Sequence, residues 1–125
     1  MAIIGNNLLV LHAKNPEFYG LLPDATHSAT IDNASCGDSV SVNCRVVRQT
    51  IERAGFSSRG CMLCKAATSI LLGHVIGKTI WDVGQLTDDD LLSMLGTSEI
   101  SYSRRKCALM CIEALRSMFG VNNNQ

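Results

Sequence analysis

The sequence predicts an α+β fold, a small three-stranded antiparallel sheet with helices packed mainly on one face. Two observations carry this expectation. Between Ser28 and Phe56 polarity alternates residue by residue, with Val40, Val42, Cys44 and Val46 on one side and Ser39, Ser41, Asn43 and Arg45 on the other, the signature of half-buried strand. From Gly60 onward the apolar residues recur at helical spacing, and each segment is bounded by capping residues. No internal repeat is present, so the strands and helices segregate along the chain.

The elements follow in order. Residues 3–13 form a short amphipathic helix that stops before Asn15-Pro16, because the residue preceding a proline is pushed out of helical geometry. A loop with Gly20 and Pro23 leads to strands over 28–32, 39–47 and 50–57. A helix over 61–75 ends at Gly77, Thr79 caps a short turn through Val83, and Thr87 caps a helix bounded by Gly96. The last helix spans 103–119, with Cys107, Met110, Cys111, Ala114, Leu115 and Met118 on its apolar side. Residues 1–120 are expected to form a single domain, and 121–125, with three asparagines, a flexible tail.

Lysine plus arginine equals aspartate plus glutamate at 11 each, so no overall field draws in nucleic acid or an anionic membrane. The cluster Arg104-Arg105-Lys106 lacks interleaved aromatics and is too short to track a phosphate backbone. It reads as a solvated face, placed where an acidic partner surface could meet it. The apolar start, Met1 to Val10, has neither preceding positive charges nor a cleavage site, and Ile70 to Ile76 is far too short to span a bilayer. A cytoplasmic protein is expected, with its six cysteines kept as thiols.

Three of those cysteines fall at element junctions. Cys36 and Asp38 flank Gly37 in the turn between the first two strands, where a thiolate and a carboxylate can face one point. Cys61 follows Gly60 at a strand-to-helix junction, where the positive end of the helix stabilises a thiolate. Cys107 lies near the start of the last helix beside Lys106. Together Cys36, Asp38, Cys61 and Cys107 suit a tetrahedral zinc site or an iron–sulfur site with one oxygen ligand. Burial in the core is the competing reading for any of these cysteines. A zinc set of Cys61, Cys64, Cys107 and Cys111 can also be drawn from the Cys61-x-x-Cys64 spacing, although Cys64 and Cys111 fall one turn inside their helices, where core packing suits them. Cys44, Met62, Met94, Met110 and Met118 read as core. Neither His27 nor His74 is expected to be a ligand.

Several motifs, in order, resemble those of the IscU, SufU and NifU N-terminal family: His12-Ala13-Lys14-Asn15-Pro16, Asn33 to Asp38 as N-x-x-C-G-D, Gly60-Cys61, Gly77-Lys78-Thr79 and Lys106-Cys107. The resemblance covers roughly residues 8–119. It implies an iron–sulfur cluster assembly scaffold, not an enzyme, that accepts sulfur from a cysteine desulfurase, binds iron and a transient [2Fe–2S] cluster or zinc at rest, and serves acceptor proteins. By that likeness Cys36, Asp38, Cys61 and Cys107 are the ligands. Cys107 or Cys61 takes up persulfide sulfur, and Asp38 keeps the cluster exchangeable.

Lys106 before the final cysteine resembles the SufU branch, yet the run from Leu86 to Arg105 leaves no room for that branch's insertion. Glu99 to Arg105 departs from the L-P-P-V-K segment by which IscU proteins engage an Hsp70-type chaperone, so docking through that motif is not expected. Two other functions fit the residues: a zinc-dependent sulfurtransferase that builds no cluster, and a structural zinc module.

Overall fold

The computed structural model describes residues 11–33, 37–60, 62–96 and 100–120, with backbone alone for Tyr102 and Ser103. The elements run β1 (His27–Asn33), β2 (Asp38–Val47), β3 (Thr50–Arg59), α1 (Met62–Val75), α2 (Ile80–Gly84), α3 (Asp88–Met94) and α4 (Tyr102–Phe119). Residues 11–14 are helical. The rest of the expected first helix, and the tail 121–125, lie outside the described residues.

The sheet is antiparallel with order β1-β2-β3, as its alternating polarity requires. Val40, Val42 and Cys44 are buried under the helices, while Ser39 and Ser41 face the other way. A register shift between Arg45 and Val46 breaks the alternation, which leaves Val46 only partly buried. The β2–β3 hairpin closes through Arg48 and Gln49, both with positive φ, as in the two-residue turn whose twist matches the strands. Phe56, Leu71, Leu72, Ile112 and Leu115 complete the core between sheet and helices.

Two of the sequence motifs are structural ties. The imidazole of His12 is hydrogen-bonded to Ser69 Oγ at 2.7 Å, and the Glu17 amide donates to the same oxygen at 2.8 Å, which fastens the first segment to α1. Gly77-Lys78-Thr79 clasps the edge of β3: the Ile51 amide donates to Lys78 O at 2.9 Å and the Gly77 amide to Ile51 O at 2.8 Å. Thr79 then caps α2 in a capping box with Asp82, and Thr87 does the same for α3 with Asp90.

Some side chains depart from expectation. Met62, expected in the core, is 58% exposed in the first turn of α1. His27, not expected as a ligand, is hydrogen-bonded to Thr26 Oγ1 at 2.8 Å, and its ring packs on Phe119. Cys44 is core as expected, its thiol 3.4 Å from Met118 Sδ.

Candidate metal and sulfur site

Three chain segments meet at one end of the sheet. The β1–β2 turn is closed by the Gly37 amide donating to Asn33 O at 2.9 Å, with Asn33 and Asp38 paired in register at the strand ends. Asp38 lies on the helix-facing side of β2 with Val40 and Val42, so its carboxyl points inward, and it is 6% exposed. Opposite it, β3 ends at Arg59-Gly60. A Cβ on Gly60 would overlap Asp38 Oδ1 and lie 3.1 Å from Asp38 Cα, and Gly60 has φ +105°. Glycine is therefore required there twice, by backbone conformation and by the space that the carboxylate fills.

The third segment is α4. Its second turn presents the half-buried Cys107, whose thiol donates to Asp38 Oδ2 at 3.1 Å across 69 residues of sequence. Cys107 is thus deeper into its helix than a residue at the helix start, and its defining neighbour is the carboxylate. A thiolate and a carboxylate at this separation would repel, and a cation between them relieves that repulsion while both are shielded from water. One soft and one hard donor suit zinc or ferrous iron.

Of the four predicted site residues the structure brings together Asp38 and Cys107; Cys36 and Cys61 lie outside the described residues. Their sequence neighbours Gly37 and Gly60 stand at the two ends that frame Asp38. Among the described residues no set of three or more His, Cys, Asp or Glu side chains gathers around one point.

The four-cysteine alternative meets a physical obstacle. Cys64 and Cys111 are each 1% exposed, and the Cys111 thiol donates to Ala108 O at 3.3 Å. Burial, with Cys64 beside it, pushes the Cys111 thiol far above its ordinary range, which disfavours the thiolate a metal needs. Both belong to the core layer behind the site. Gly60's close approach to Asp38 went unread in the sequence; the only signal was a glycine immediately before a junction cysteine.

Among the described residues this architecture, a three-stranded antiparallel sheet with helices α1 to α4 and an acid–thiol pair at their shared edge, is that of a small α+β domain. The NifU-like N terminal domain family matches residues 6–122, and the chain belongs to that family. It is 30% identical over 105 residues to the iron–sulfur cluster assembly scaffold protein IscU 1 of Archaeoglobus fulgidus, covering 84% of this chain and 67% of that one. It is 27% identical over 121 residues to the zinc-dependent sulfurtransferase SufU of Bacillus subtilis, covering 83% and 81% respectively. In fold it resembles the crystal structure of the N-terminal part of a NifU-like protein of Brucella abortus, with TM-score 0.79, 18% identity and coverage of 100% and 99%. Among the described residues no helix is long and apolar enough to cross a membrane.

Proposed function

We propose that this chain is an iron–sulfur cluster assembly scaffold whose site is made of Cys36, Asp38, Cys61 and Cys107. The observation that carries the reading is the Cys107 thiol donating to the buried Asp38 carboxylate, a soft and a hard donor side by side that a cation would bind in place of the thiol proton. Sulfur enters when the thiolate of Cys107 or Cys61 attacks the outer sulfur of a persulfide on a cysteine desulfurase. A new S–S bond forms on the scaffold, the donor's S–S bond breaks, and the donor's cysteine leaves as thiolate. The step is redox-neutral. Turning that sulfur into the sulfide of a [2Fe–2S] cargo consumes two electrons per atom from an external thiol or electron carrier. Asp38, as the one oxygen donor, holds iron less tightly than a fourth thiolate and keeps the cargo transferable to acceptor proteins.

Anaerobic incubation with a cysteine desulfurase, cysteine, dithiothreitol and ferrous iron tests this. Visible cluster bands with loss of zinc support the scaffold, and Asp38→Ala should lengthen the cluster's lifetime several-fold. A lifetime unchanged or shortened contradicts the role given to Asp38.

The match to the sulfurtransferase, which spans 81% of that protein, and Lys106 before Cys107 favour a second reading, a zinc-dependent carrier that relieves the desulfurase of its sulfur. Stimulated desulfurase turnover with zinc retained and no cluster bands would select it. Residence in the cytoplasm belongs to either reading.

A further inference from the structure

We infer that Arg104, Arg105 and Lys106 form the surface on which the sulfur donor docks, and that the donor presents an acidic face to it. The inference rests on the proposed function and names the contact through which that function begins.

The three cations immediately precede Cys107 on α4 and all are exposed. Among the described residues none of them has a carboxylate within ion-pair distance. Their placement runs against local chemistry. Ser101 caps α4 by accepting from the Arg104 amide at 3.4 Å, so Arg104 occupies the position where Asp82 in α2 and Asp90 in α3 close a capping box. The first turn of α4 carries no acid. Cations at the positive end of a helix gain nothing from the fold itself.

Arg59, one residue before Gly60, also borders the site, and Asp32 sits at the same level of the sheet, both being opposite Ser39 in the register, so that this level carries one acid and one base. The net positive charge at this end therefore comes from the helix triplet. The balancing acids lie elsewhere: Asp88, Asp89 and Asp90 open α3, and Asp88 pairs at 3.0 Å with Arg116 near the far end of α4. Among the described residues α4 thus carries its three consecutive cations at the end beside the site, while its far end meets the acids that open α3. Such a field orients an acidic partner with its reactive group toward Cys107, raising the productive encounter rate.

The test compares wild-type protein with Arg104→Glu/Arg105→Glu and Arg104→Lys/Arg105→Lys in stopped-flow association with the source organism's cysteine desulfurase across a salt series. Wild type should associate faster at low salt. The glutamate pair should cut the association rate by about tenfold or more and flatten its salt dependence. The lysine pair should behave as wild type, and zinc content and melting temperature should not fall in any variant. A neutral Arg105→Gln/Lys106→Gln variant should be intermediate, which keeps the result readable if the glutamate pair misfolds. Equal association rates and salt slopes in all variants would overturn the inference and leave the scaffold reading intact. A desulfurase that does not bind wild type at all overturns both. Tighter binding of wild type to a single-stranded RNA than to desulfurase, lost in the glutamate pair, would reassign the surface and overturn the inference.

Discussion

Helices α3 and α4 begin alike and diverge within a turn. Each has a hydroxyl cap, Thr87 and Ser101, accepting from the amide three residues on. In α3 that third residue is Asp90, which returns a bond to the cap, and three aspartates fill the first turn. In α4 it is Arg104, with two more cations behind it, and the cap bond is longer, 3.4 Å against 3.1 Å. The same contrast holds in the loops. Gly77, near the α2 end, has a positive φ but open space around it, whereas Gly60 has a positive φ and a buried carboxylate in the place of a side chain. One end of the molecule satisfies each local preference; the other sets preferences aside where Asp38 and Cys107 meet. Departures of that kind concentrate where a structure is built for a ligand or partner.

The largest effect expected from this contrast is at the glycines. Gly60→Ala should cost more than about 2 kcal/mol, through strained backbone and displacement of Asp38, whereas Gly77→Ala should cost about 1 kcal/mol. Urea denaturation measures both, and metal content should fall only in the first. Equal costs would mean that the approach of Gly60 to Asp38 is ordinary packing.

The helix starts give a smaller effect of opposite sign. Thr87→Ala should destabilise by about 1 kcal/mol, because α3 loses its capping box. Arg104→Glu should instead stabilise by about 0.5 kcal/mol, since it supplies α4 with the missing partner for Ser101 and an anion at the positive helix end. If Arg104→Glu destabilises, the cations at the start of α4 serve the fold rather than a partner.

The thiols sharpen the comparison at smaller cost to the molecule. At pH 7.5 Cys107 should react with iodoacetamide in the native protein while Cys44, Cys64 and Cys111 react only after unfolding, as peptide mass mapping can read. Burial lifts the Cys44 thiol to about 11 and the Cys111 thiol higher still. Because these protons are held more tightly in the folded state, their stabilising contribution is complete below the thiol's unfolded value and is lost as pH rises from there through the folded one. Stability should therefore decline between about pH 9 and 11, and a flat profile would contradict the burial of these groups.

Much of this was legible in the sequence because it rests on local periodicity. The alternation around Val40, Val42 and Cys44 placed β2, and Thr79, Thr87 and Gly120 marked helix ends that the structure keeps. Asp38 and Cys107 were singled out by their places at element junctions and by motif resemblance, and the structure puts the two in contact. What did not show were contacts made by chain segments distant in sequence: the Gly60 approach to Asp38, the clasp of Gly77-Lys78-Thr79 on β3, and the tie of His12 to Ser69. Met62 misled because an apolar residue in the first turn of a helix does not reveal from sequence whether another element covers it.

X-ray absorption at the zinc edge of the metal-loaded protein tests the central claim most directly. A site of Cys36, Asp38, Cys61 and Cys107 predicts three sulfurs at about 2.3 Å and one light atom at about 2.0 Å. Four sulfurs, with Cys64 or Cys111 drawn in and Asp38 left out, would contradict it.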